Sequence, residues 1–202
     1  MRSPSIEANW RLCFHTNVED YHPVAVHPTT FGKHGYANPA KIGYFRFGWH
    51  SAFFTTPAPD ALTKMAAECK QGVWRSADYR VFHIFPDLTV SHFRVHWDHW
   101  YIAVIQYSPV TASRSAMRTW FYPAPFPAGD LAWYDRLTQP LTDLVRKYAM
   151  GYFIDMVLSE DNVVCEKLQT IAQQLSPAPI LGALEERLGW FEEVYAELMQ
   201  AS

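Results

Sequence analysis

Between residues 79 and 122 the chain lays out four strand-like runs, at 79–85, 88–96, 99–107 and 114–122. Turn signals at Pro86-Asp87, Trp97-Asp98 and Ser108-Pro109 break them, and no gap exceeds six residues. Connections that short cannot carry a crossover helix, so consecutive runs must pair antiparallel, as a meander. Aromatic, strand-like sequence at 43–55 extends the same sheet. Helical patterns flank these runs: 9–22 before them, 60–70 with Asp60 as cap, 129–150 with a kink expected at Pro140, and 160–175. A last helix carries Leu184, Leu188, Phe191, Tyr195 and Leu198 on one stripe. Residues 29–42 and the stiff stretch 123–127 read as loops. The order predicts an α+β fold, a curved antiparallel sheet wrapped around helices.

Composition narrows the class. A chain of 202 residues, 49% hydrophobic, can bury one substantial core, so residues 1–202 are expected to form a single domain. A net charge of −3 leaves no electrostatic footprint for nucleic acid or an anionic membrane. The opening MRSPSIEANWRLCFH has no apolar leader, and no run approaches a membrane span. Cys13, Cys69 and Cys165 form no disulfide pattern, which predicts a reducing, cytoplasmic setting.

The chemistry concentrates at 17–28, Asn-Val-Glu-Asp-Tyr-His-Pro-Val-Ala-Val-His-Pro. His22 and His27 are five residues apart, and an unbroken helix would turn about 500° between them, pointing the rings apart. Pro23 removes that difficulty: it is expected to end the helix at His22 and leave His27 on a loop that folds back. Glu19 precedes His22 by three residues, within reach of the imidazole, where a carboxylate fixes the tautomer and raises ligand basicity. A third donor is Asp161, at the expected start of an amphipathic helix with Val164, Leu168, Ile171 and Leu175 on one stripe. Two imidazoles and a carboxylate are the facial ligand set of non-heme Fe(II) sites that activate O2. The bland alternatives are polar residues at a helix end for the histidines and a helix cap, shared with Ser159, for Asp161. On local sequence alone the cap is the stronger reading.

The other candidates weigh less. His92, His96 and His99 could imitate a zinc trio, but no acidic or thiol partner accompanies them. His50 and His83 read as satisfied core histidines. Phe47, Trp49, Phe53, Trp100 and Trp120 could line an apolar cavity. Asp143 and Asp155 are rival carboxylates outside the motif.

Asn9-Trp10, the run Asn17-x-Glu19-x-Tyr21-His22-x4-His27-Pro28, the segment Glu160-Asp161-x-Val-Val-Cys-Glu-Lys-Leu-Gln and the closing Glu186-x3-Trp190-Phe191-x3-Tyr195 together resemble one family. It is the catalytic domain of Rieske non-heme iron ring-hydroxylating oxygenase alpha subunits, and the resemblance spans nearly the whole chain. It implies a helix-grip (START/Bet v1-like) version of the α+β fold. It implies a mononuclear Fe(II) on His22, His27 and Asp161, with Glu19 coupling that site to the electron-donating cluster and Asn17 near the open iron position. It implies O2 and a small apolar or aromatic substrate, to be hydroxylated or oxidatively dealkylated, and homotrimers. The family's alpha subunit also carries a Rieske 2Fe-2S domain with two Cys and two His ligands. Cys13-Phe-His15 has no Cys-x-x-His to match it, so no such domain is expected here, and the 2Fe-2S electron donor is expected on a separate Rieske or ferredoxin-type protein. A chain without its electron source could instead be a non-catalytic binding module for a hydrophobic molecule, or an accessory subunit of a split oxygenase.

Overall fold

The computed structural model describes residues 4–19, 21–27, 42–56, 58–72, 79–95, 99–123, 133–172 and 181–201. Its strands are β1 (Ser5–Ile6), β2 (Gly43–Phe47), β3 (His50–Phe54), β4 (Arg80–Ile84), β5 (Leu88–Val95), β6 (His99–Thr111) and β7 (Arg114–Pro123). Its helices are α1 (Trp10–Val18), α2 (His22–Val26), α3 (Ala61–Lys70), α4 (Trp133–Ala172) and α5 (Glu186–Gln200). The strands make one curved sheet in the order β1-β7-β6-β5-β4-β3-β2, antiparallel at every pairing. The α+β expectation therefore holds, meander included. The run at 43–55 is a hairpin: Phe47 faces His50 across a two-residue loop, and Gly48 takes φ +61 there, a left-handed turn that side chains resist.

Strand alternation decides what each face carries. Phe53, Val81, Ser91 and Ala103 stand opposite one another across β3, β4, β5 and β6, forming one row on one face. The principal core joins Phe14 of α1, Ile154 and Leu158 of α4 and Phe191 of α5 to Phe93 and Tyr101 of the sheet. A second cluster packs Ala61, Leu62 and Met65 of α3 against Ala52, Phe54 and Phe82. Glu192 of α5 pairs with Arg11 and His15 of α1. Burial opposes its charge, yet the hydrogen bonds from His15 and Arg11 hold its carboxyl down at about 2. No helix among the described residues is long and apolar enough to cross a membrane.

Two helix boundaries differ from expectation, and both move site residues. The first helix stops at Val18, and Glu19 is extended at φ −79, ψ 154. Pro23 then stands in the first turn of α2, where a missing N–H costs nothing, so it opens a helix where it was expected to close one. His22 is the first residue of that turn and His27 follows its end. The second difference is α4, a single helix of 40 residues with Pro140 inside it. Asp161 lies mid-helix and caps nothing, and the Ser159 hydroxyl donates back to the Met156 carbonyl at 2.7 Å. Burial of Ile154, Val157 and Leu158 carries the helix straight through the expected break. The buried stripe accordingly runs through Ile154, Leu158, Asp161 and Cys165, while Leu168 and Ile171 are 41% and 49% exposed.

Smaller expectations fare as follows. In α5 the buried stripe is Arg187, Leu188, Phe191 and Val194, an arginine among apolar residues. Leu184 sits on the preceding 3-10 turn, 36% exposed. Asp60 stands at the start of α3 without a side-chain cap bond. Residues 28–41 and 124–132, which hold most of the two expected loops, and Leu175 lie outside the described residues.

Candidate metal centre

The last carbonyls of a helix have no partner within it, and those of α1 are met by buried side chains. The Nε2–H of His83 on β4 donates to the Asn17 carbonyl at 2.7 Å, and Arg187 of α5 donates to that of Val18. Arg187 Nη1 also donates to His83 Nδ1 at 2.7 Å. Burial, helped by the adjacent guanidinium, pushes His83 well below the usual imidazole range, so it is neutral and able to accept. The guanidinium lies 4.7 Å from the Phe53 ring centre and 5.2 Å from that of Tyr44. This cluster fixes where α1 ends.

The chain beyond that point turns on Glu19. Its Oε2 accepts the backbone N–H groups of Tyr21 and His22 at 2.9 and 3.0 Å, which anchors the first turn of α2. Its Oε1 pairs with His22 Nδ1. Glu19 thus reaches His22 as expected, but by folding back across a turn, without the shared helical face. One short helix later, His27 Nδ1–H donates to Glu160 Oε2 at 2.7 Å. Glu160 escaped the sequence reading as a partner; its only signal was adjacency to Asp161.

With both Nδ1 atoms held by carboxylates, both Nε2 atoms point the same way. They lie 3.6 Å (His22) and 3.0 Å (His27) from Asp161 Oδ1, and the rings are 5.2 Å apart. Ligand atoms of the three residues all lie within 4.8 Å of one another. Two imidazole lone pairs and a carboxylate oxygen converging in a buried spot repel unless a cation sits among them. A proton serves in part: burial opposes charge on His27, but Asp161 and Glu160 outweigh it and raise its pKa. The donor set equally suits a divalent ion held by two Nε2 atoms and one carboxylate oxygen, each ring steadied by a carboxylate behind it.

The trio opens onto a cavity of about 100 Å³ that Asn17 and Glu19 also line. Its remaining wall is largely apolar, with Phe53, Val81, Phe93 and Ile105 from the sheet and Ile154 and Leu158 from α4. Asn17 Nδ2 donates to the Tyr107 hydroxyl at 2.7 Å and to the Cys13 carbonyl at 3.2 Å. Burial, with the charge of Asp161 adding to it, lifts Tyr107 well above the ordinary phenol range, so it stays protonated.

Other sequence candidates fall elsewhere. Of the five aromatic residues expected at a cavity, Phe53 alone lines this one. Phe47 packs against the second cluster, Trp49 is 57% exposed, Trp100 stacks on His92, and Trp120 lies in an outer groove beside α4. His50 accepts the Phe85 N–H and, like His83, is satisfied internally. His96 lies outside the described residues. Asp143 is paired with Arg146. Cys13 and Cys165 are buried beneath the site, bonded to Ser115 and Thr16, and Cys69 is exposed on α3.

Residues 2–201 match the sequence model of the ring-hydroxylating alpha subunit catalytic domain. The chain belongs to that family. Ring-hydroxylating alpha subunits are Rieske non-heme iron oxygenases, and similar solved structures are of the same kind. Naphthalene 1,2-dioxygenase from Rhodococcus sp., solved with indole, shares 15% identity at a TM-score of 0.64, covering 100% of this chain and 56% of its own. Pseudomonas putida CBB5 NdmA, as the QL mutant with caffeine, shares 15% at 0.62, covering 100% and 50%. The quaternary ammonium Rieske monooxygenase CntA, with an inhibitor, shares 15% at 0.61, covering 97% and 47%. Identities this low carry the fold alone. The chain spans about half the length of these structures. Among curated proteins, none matches the sequence.

Proposed function

We propose that His22, His27 and Asp161 hold one mononuclear Fe(II), and that the chain is the catalytic part of an O2-dependent oxygenase. It hydroxylates or oxidatively dealkylates a small apolar or aromatic compound, with electrons from a separate 2Fe-2S protein of Rieske or ferredoxin type. The observation that carries this reading is the aim of both Nε2 atoms at Asp161 Oδ1 within an apolar cavity. His22, His27 and Asp161 would hold the iron, which when bound would supply the reductive chemistry of O2. Glu19 and Glu160 hold the two rings in register, and the apolar wall excludes water from the reacting region. The amide of Asn17, tied to Tyr107, gives the cavity floor a fixed polar edge. Cys13 and Cys165 are locked in the core and Cys69 is exposed, all three outside any disulfide, which suits a reducing, cytoplasmic setting.

The test is donor dependence. Loaded with Fe(II), the chain is expected to show no 2Fe-2S absorption and to consume O2 over many turnovers only when a reduced ferredoxin-type protein is supplied. Sustained turnover without a donor contradicts the proposal. Glu19 supplies a sharper comparison, because it holds His22 and its own backbone turn while leaving the three-ligand set complete. Glu19→Gln is expected to retain its iron while donor-supported O2 uptake falls about tenfold or more. Loss of iron would make Glu19 a ligand, and unchanged uptake would remove it from the electron route.

A further inference from the structure

Ser91 is the anomaly of the cavity wall. It occupies the middle of the row formed by Phe53, Val81, Ser91 and Ala103, with Val81 directly opposite on one side and Ala103 on the other. Its side chain lines the cavity, and its hydroxyl makes no hydrogen bond among the described residues. Thr89, two residues earlier on the same face, is also unbonded but is sealed in protein at 1% exposure, whereas Ser91 is half-buried and open to the cavity. A hydroxyl facing an apolar space keeps an unmet hydrogen bond until a ligand atom or a water arrives. Among the neighbouring polar groups the Asn17 amide N–H is committed to Tyr107 and the Cys13 carbonyl, and the Glu19 carboxylate is held by His22 and Tyr21.

We propose that the substrate is an uncharged single-ring compound bearing one hydrogen-bonding atom, and that Ser91 reads that atom. The inference rests on the oxygenase reading of the site and goes further in naming the substrate class. Neutrality follows from the lining: among the described residues no lysine or arginine faces the cavity, and both carboxylates are turned to imidazoles. Against the apolar wall, away from the metal-binding trio, a carboxylate or ammonium would be buried unpaired, which is strongly unfavourable. Size follows from the volume: about 100 Å³ is of the same order as the roughly 150 Å³ of an apolar cavity that accepts benzene, so a single ring is the limit. One ring fits with its substituent towards the opening, and a fused pair exceeds the space. Within such a pocket a few placed polar groups set orientation, and Ser91 is placed to do so from the middle of the sheet.

The probes are anisole and ethylbenzene, nearly isosteric and differing by an ether oxygen for a methylene, with 1-methoxynaphthalene as the two-ring control. Calorimetric titration of the anaerobic Fe(II)-loaded chain is compared with that of Ser91→Ala. Losing one neutral hydrogen bond is expected to weaken anisole about fivefold while ethylbenzene stays within about twofold. In the wild type, 1-methoxynaphthalene is expected to bind at least about tenfold more weakly than anisole, because a second ring overpacks the wall. Equal effects on anisole and ethylbenzene, no effect on anisole, or equal affinity for one and two rings would each overturn the proposal. Iron content read on the same sample separates the two failures. A chain that takes up iron but neither ring loses this inference alone, and a chain without iron that shows the Ser91 signature loses the oxygenase reading alone. The wild-type size comparison stands even if Ser91→Ala does not fold.

Discussion

Arg187→Ala is expected to destabilise the chain by about 3 kcal/mol, more than most single substitutions cost. The side chain is 1% exposed and donates to His83 Nδ1 and to the Val18 carbonyl. Removing it leaves a buried imidazole nitrogen and a helix-terminal carbonyl unmet, each worth about 1–3 kcal/mol, and opens a cavity beside Phe53. Removing the charge also removes the desolvation that Arg187 itself suffers, which offsets part of the loss. Arg187→Met keeps the volume and loses only the hydrogen bonds, so it is expected to cost about half as much. Urea unfolding of the three proteins measures this. An alanine variant within 1 kcal/mol of wild type, on the scale of ordinary surface changes, would show that the cluster does not fix the end of α1.

Replacing a member of the converging trio is expected to lower Fe(II) affinity by more than about a hundredfold, beyond the effect of losing an outer partner. His22→Ala and His27→Ala each remove one Nε2, and Asp161→Ala removes the oxygen on which both converge. Glu160→Gln, which only weakens the hold on His27 Nδ1, is expected to cost about tenfold. Circular dichroism should show all four folded, because the principal core of Phe14, Ile154, Leu158 and Phe191 is untouched. Equal iron affinity in Glu160→Gln and Asp161→Ala would reverse the assignment of ligand and supporting carboxylate.

The legible parts of the fold are those written by local rules. β4, β5 and the start of β7 fall where alternation and turn residues put them, since strand period and short connections are properties of neighbouring residues. By contrast, β6 runs through the expected turn at Ser108-Pro109 to Thr111, because both residues pair with β7. Helix ends were less legible because one residue type serves two purposes. Pro23 both forbids the interior of a helix and favours its first turn, and only the anchoring of the Tyr21 and His22 N–H groups by Glu19 selects the second role. Asp161 has a cap's composition, but α4 passes through it because Ile154, Leu158 and Cys165 are buried against α1 and the sheet. In both places a tertiary contact overrode a local preference.

The site shows the same division. His22 and His27 stood out by type and spacing, the distant Asp161 joined them only through the motif resemblance, and the fold brings the three together. The residues that hold them in place did not stand out. Glu160, His83 and Arg187 act through partners 133, 66 and 169 positions away, and nothing local marks them. Arg187 even occupies a stripe position that sequence reading assigns to apolar residues. The aromatic residues were legible as a class and not as places, because membership of a strand does not say which cavity its face will border.

Iron content after anaerobic reconstitution tests the central claim most directly. The chain is incubated with excess Fe(II), freed of loosely held metal and analysed for iron and protein, beside a variant with Ala at positions 22, 27 and 161. About one iron per wild-type chain is expected, as for a single mononuclear site, with none retained by the folded triple variant. Wild-type chain that retains no iron, or a triple variant that retains as much as wild type, would contradict the assignment.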